Sequence, residues 1–309
     1  LQTERPLSPC HTSTAGDEFR ELLDTARKST DKSLDDLKKE TLYEKAGLQF
    51  NRQQALMTFR LEVDMQKSTA FQVLTGYNML IESLVDALTE VANQLHCVKD
   101  KSGVGMGCYS SFLCLQNVVS QQCAIVTGTV ADKHSNGKLF PMGHLSLVTN
   151  LGAQKAYMNT FLRSGIPDDI KAAFIVACHD GPNEVLDLER AMVVSLQETA
   201  AVLSCTSAHR WLCRFAERLD KLSQVNILLL DHVGKLAEDL STDVQARNTP
   251  ATGKRKAGSS PEVLSDTVKR TVKGAKTATE AADYDALNAS DSDCGTGKSD
   301  TSTANPFRT

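Results

Sequence analysis

Cys205, His209 and Cys213 stand four residues apart, so on one continuous helix all three project from the same side. Thiolate and imidazole are the donor types of a zinc site. A second chemistry fits the same residues. Two cysteines eight residues apart on a straight helix are about 12 Å apart and cannot bond to each other. Each then reaches a different partner, and the stretch holding Cys108, Cys114 and Cys123 is the natural place. Two disulfide staples are the reading adopted, each stabilising by about 2 to 4 kcal/mol. His209 is then structural, and neither a metal nor a cofactor is expected.

Other constellations carry less. Cys178-His179-Asp180 suggests a catalytic set, but adjacent residues are poorly placed to act on one another, and no nucleophile motif accompanies them. A helix C-terminus with His179 at its negative end is the simpler reading. Gly295-Thr296-Gly297-Lys298-Ser299 resembles the end of a phosphate loop, but Ser292 stands where the first glycine is required. The basic runs Lys254-Arg255-Lys256 and Lys269-Arg270 read as a solvated linker. Asn288-Ala289-Ser290 is an N-glycosylation sequon, accessible in a secreted chain. No catalytic constellation emerges, and the chain is read as a non-enzyme.

The chain contains nine cysteines and no Cys-x-x-Cys pair. Cys10, Cys97, Cys108, Cys114, Cys123, Cys178, Cys205 and Cys213 are read as a disulfide framework made in an oxidising compartment, with Cys294 left over. A net charge of −4 argues against a nucleic-acid partner. No apolar stretch approaches the roughly 18 to 20 residues that span a bilayer. A chain starting at Leu1 fits either a trimmed sequence or a mature product without its signal peptide.

Residues 1–16, with Pro6, Pro9 and Gly16, read as an irregular lead-in. Helical spacing then runs from Asp17 to about residue 98, through Leu22, Leu37, Phe59, Val73, Tyr77 and Leu95. Gly103, Gly105 and Gly107 mark a break, and residues 99–143 read as a cysteine-rich loop region holding a short helix. Two short helices follow, one carrying Leu147, Leu151 and Phe161, the other starting after Pro167-Asp168-Asp169. A last helix spans about 183 to 246. Its seam is Leu212, Phe215, Leu219, Leu222, Asn226, Leu229, Val233, Leu236 and Leu240. From 248 to 309 few large apolar residues remain, and this tail reads as disordered. With aromatics at only 5%, the fold class is all-α. The expected form is an elongated three-helix bundle over 17–247, with long antiparallel helices and a disulfide-stapled, loop-rich head.

This layout resembles the surface glycoproteins of African trypanosomes. It has an early Cys10, a long first helix, a cysteine-laden stretch from Cys97 to Cys123, a returning helix and a hydrophilic tail. The resemblance covers about residues 10 to 247, is closest to the invariant surface glycoproteins, and has the variant ones as second choice. It implies an extracellular, membrane-anchored ectodomain with its anchor beyond Thr309, serving immune evasion or uptake; a monomer is expected from reading the last helix's seam as internal. The implied partner is a host serum protein such as a complement component or an immunoglobulin. The alternative is a structural coat or spacer protein without a specific ligand.

Overall fold

The computed structural model describes residues 1–14, 19–39, 51–96, 102–132, 143–179 and 183–248. Among them the chain is entirely helical. In order come α1 (Glu4–Ser13), α2 (Arg20–Lys39), α3 (Asn51–Asp64), α4 (Ala70–His96) and α5 (Ser102–Ala131). They are followed by α6 (Gly143–Leu162), α7 (Asp168–His179), α8 (Asn183–Val194), α9 (Leu196–Ser204) and α10 (Ala208–Asn248). The all-α bundle expected from composition is what forms. Where two long helices with shorter ones alongside were expected, ten helices lie among the described residues.

The centre of the bundle is α5, where a loop was expected. Every residue from Leu115 to Thr129 is buried, and α1, α4, α6 and α10 pack around it. A helix buried on all sides loses the one-faced pattern that marks a surface helix. Each internal glycine costs about 1 kcal/mol against alanine. Burying Phe112, Leu115, Val119 and Ile125 returns about 1.5 to 3 kcal/mol apiece, so packing outweighs the glycines. The hydroxyls of Thr127 and Thr129 donate to the carbonyls of Cys123 and Ile125, at 2.8 and 2.6 Å, which leaves neither stranded in the core. Phe112 of α5, Phe161 of α6 and Phe174 of α7 form an aromatic trio, with centroids 5.6 Å (112–161) and 4.3 Å (161–174) apart.

The first helix also replaces an irregular stretch. Residues Glu4 to His11 of α1 are all buried despite Pro9 inside the helix, which costs about 3 kcal/mol in an isolated one. Contacts with α2, α3, α4 and α5 supply what propensity does not.

Polar caps divide the long helical patterns. Thr69 and Gln72 form a capping box, the Thr69 amide donating to Gln72 Oε1 at 2.8 Å and the Gln72 amide to Thr69 Oγ1 at 3.3 Å. Just before it, α3 ends with Gln66 at φ 52°. The Lys67 amide reaches back to the Glu62 carbonyl and the Gln66 amide to that of Val63, a Schellman closure. Ser195 Oγ accepts from the Glu198 amide and begins α9. Ser207 Oγ accepts from the Arg210 amide and begins α10. The expected last helix from 183 is therefore α8, α9 and α10. The seam of α10 is buried from Leu212 through Val233, Asn226 included. Leu228, which lies off the seam, is 45% exposed.

The cap at Ser207 removes the premise of the staples. Cys205 ends α9, while His209 and Cys213 stand on α10. Cys205 is exposed and donates to the Ala201 carbonyl, whereas Cys213 is buried. The receiving loop is helix α5. Cys10, Cys108, Cys114, Cys123, Cys178, Cys205 and Cys213 are thiols, so the disulfide framework is not found among the described cysteines. Cys97, Cys294, the sequon at Asn288 and the tail from residue 249 lie outside the described residues.

Candidate functional site: a buried guanidinium without a carboxylate

Two neighbours on α1, Glu4 and Arg5, leave the helix toward different partners, and both are fully buried. Glu4 meets a complete set of counter-charges. Arg60 of α3 clamps its carboxylate in two bonds, Nε to Oε1 at 2.7 Å and Nη2 to Oε2 at 2.8 Å. Tyr77 of α4 donates its hydroxyl to Oε1 at 2.5 Å, and Arg27 of α2 approaches to 3.8 Å. Outward, Arg60 binds Asp31 and Arg27 binds Asp64, both half-exposed aspartates. Burial alone would push the Glu4 carboxyl up. The Arg60 bonds, nearby positive charge and the Tyr77 hydroxyl reverse that and leave it below its ordinary value. Tyr77 is driven up, first by burial and then by the Glu4 charge. This centre bolts α1 to three helices and is electrically closed.

Arg5 is the opposite case. Its Nη1 donates to Asn78 Oδ1 of α4 at 3.1 Å and to Asn117 Oδ1 of α5 at 2.8 Å. Its Nη2 donates to the Asn117 carbonyl at 2.8 Å. All three acceptors are neutral, and among the described residues no carboxylate pairs with it. A guanidinium has five N–H donors. These bonds use both on Nη1 and one on Nη2. Nε is buried and has no partner. What remains is one N–H each on Nε and Nη2, the two nitrogens of the side-on fork that binds two oxygens of a planar anion. Burial pulls the group down to about 9, still cationic at neutral pH.

Arg218 shows that burial alone is not the distinction. At 2% exposure it bonds Glu189 of α8, which also accepts from Gln154 of α6 at 2.9 Å. That cation has its anion in place; Arg5 does not.

Beside Arg5 lies a cavity of about 380 Å³ between α4, α5 and α6. Asn78 forms part of its wall, as do Thr75, Glu82, Gln121, Ser146 and Thr149. Along α4 and α5 the polar residues form two rungs, four residues apart. One is Asn78 and Asn117 joined by Arg5; the other is Gln121 donating to Glu82 at 3.0 Å.

None of the sequence-predicted residues belongs to this site. No three of the described His, Cys, Asp and Glu side chains gather as a metal site. Cys123 lies nearest in character, its buried thiol raised by desolvation and by Cys10 and lowered by the Arg5 charge. Arg5 escapes sequence reasoning because a single Glu-Arg pair ahead of Pro6 has no spacing to flag it.

No match emerges among curated proteins or solved structures. A family model described as nitrate and nitrite sensing, NIT, matches residues 1–234. That match overturns the resemblance to trypanosome surface glycoproteins. The host serum ligand, complement or immunoglobulin, goes with it, as do immune evasion and the structural coat alternative. The resemblance rested on helix length and cysteine layout, features that unrelated helical bundles share. With the match running over residues 1–234 of 309, the chain belongs to the NIT family of nitrate- and nitrite-sensing domains.

Proposed function

We propose that this chain is a sensing domain that binds nitrate or nitrite at the open side of Arg5. The observation that carries the reading is the fully buried guanidinium whose Nε has no partner and whose other donors meet only neutral oxygens. A buried cation without an anion is costly, and an entering oxyanion relieves that cost. Two oxygens of planar nitrate, or both of nitrite, match the parallel N–H pair. The amides of Asn78 and Asn117 hold the group in place without cancelling its charge. Family membership supports the ligand class.

The reading is of binding without turnover. Domains of this family typically stand outside the cell on membrane receptors, and an extracellular placement is proposed here on that ground. Among the described residues no helix is long and apolar enough to cross a membrane.

Titration calorimetry with sodium nitrate and nitrite, against chloride and sulfate, tests the proposal. Wild type is expected to prefer nitrate and nitrite. Arg5→Lys keeps the charge but loses the fork, and is expected to weaken binding at least tenfold. Unchanged affinity in a folded Arg5→Lys protein overturns the assignment.

A further inference from the structure

Arg5 is wholly buried, so an anion bound to it needs a route through the helices. Resting on the Arg5 reading, we infer that the cavity between α4, α5 and α6 is the vestibule through which the anion arrives. Asn78 is its inner door and Glu82 the charge at its mouth.

Three observations support this. First, Asn78 belongs to both places. It lines the cavity, and its Oδ1 accepts from Arg5 Nη1 at 3.1 Å, the longest of the guanidinium's three bonds. Half-buried, its amide is the partition between the space and the cation. When it rotates, Nη1 keeps its bond to Asn117, the guanidinium opens to the cavity, and the anion passes to the Nε/Nη2 side. Second, the cavity suits a partly hydrated ion. At about 380 Å³ it has room for on the order of ten waters. The hydroxyls of Thr75, Ser146 and Thr149 and the Gln121 amide offer neutral hydrogen bonds as hydration is shed. Third, the one carboxylate among the lining residues, Glu82, is exposed, and Gln121 holds it by one oxygen. It lies close enough for its charge to act on Arg5. In the empty site it partly offsets the cation, and it opposes an incoming anion. Glu82 therefore sets how fast and how tightly an oxyanion enters.

The experiment is a sodium nitrate titration followed by amide NMR line shapes, which gives affinity and association rate together. Ser146→Phe and Thr149→Phe fill the cavity from α6 without touching Arg5 or its acceptors, and each is expected to slow association at least tenfold. Glu82→Gln removes the charge at the mouth and is expected to speed association about threefold or more and to tighten binding. Equal association rates in wild type and both folded phenylalanine variants overturn the vestibule, with Arg5-dependent binding intact. Glu82→Gln changes an exposed side chain and preserves the fold, so an unchanged rate in this variant overturns the role of Glu82 even where the filled variants fail to fold. Wild type that does not bind nitrate, or binds it equally after Arg5→Lys, overturns the Arg5 assignment and the vestibule with it.

Discussion

Asn117 grips the Arg5 guanidinium twice, through its side-chain oxygen and through its own backbone carbonyl, each at 2.8 Å. The two bonds fix the end of the guanidinium and leave its Nε buried without a partner. A cation held firmly by neutral groups is what distinguishes this centre from the ion pair of Glu4 a residue away.

That contrast separates stability from binding. Wild type is expected to gain melting temperature on adding nitrate, corresponding to about 2.7 kcal/mol at a hundredfold excess over Kd, and Arg5→Met is expected to abolish that rise. Differential scanning fluorimetry with nitrate and with chloride reads it. A nitrate-dependent rise that survives in Arg5→Met contradicts the assignment.

Glu4→Gln is expected to destabilise the fold by about 3 kcal/mol, because Arg60 and Arg27 are left around a neutral group in a buried site. The pH dependence has a definite sign. A carboxyl lowered in the fold adds stability above its unfolded value, and that stability is lost as pH falls through the folded one. Wild type should therefore lose stability below about pH 4.5, its ordinary value, more steeply than Glu4→Gln does. Urea midpoints from pH 3 to pH 7, on the order of five points, measure both slopes.

Thiol chemistry gives a direct check on the cysteines. In the native protein an alkylating reagent should label Cys205, which is exposed, well before Cys10, Cys123, Cys178 and Cys213, which are buried. Burial also raises the Cys178 thiol to about 12, which keeps thiolate scarce there. Peptide mapping after a timed pulse distinguishes the sites. Intact masses that shift on reduction would restore a disulfide framework.

Gln66 holds the left-handed position that closes α3, at φ 52°. Gln66→Gly relieves the clash of a Cβ there and should stabilise by about 0.5 to 1 kcal/mol. Loss of stability in a denaturation curve would show that the Gln66 side chain matters more than its backbone.

Gly76 of α4 has the opposite requirement. A Cβ at this position would run into the Phe59 ring, which packs edge-on against Tyr77 at 5.1 Å. Gly76→Ala should therefore cost about 1 to 3 kcal/mol, although alanine is the better helix former. A stabilised Gly76→Ala protein would mean that Phe59 moves freely.

The sequence alone determined the helical class, the stretches that became α6 and α7, and the buried seam of α10, because each of these is a local pattern of apolar and acidic residues. It also contained the caps at Thr69, Ser195 and Ser207, which sequence reasoning passed over when it ran those helices together. Tertiary structure decided the rest. Glycines 103, 105 and 107 read as a break and Pro9 as a lead-in, until packing around Leu115 to Thr129 of α5 and around α1 outweighed their backbone cost. Arg5 became a candidate anion site only when the fold brought Asn78 and Asn117 to it, residues 73 and 112 positions away along the chain. What a buried charge can bind depends on which groups face it, and that is set by the packing of distant helices.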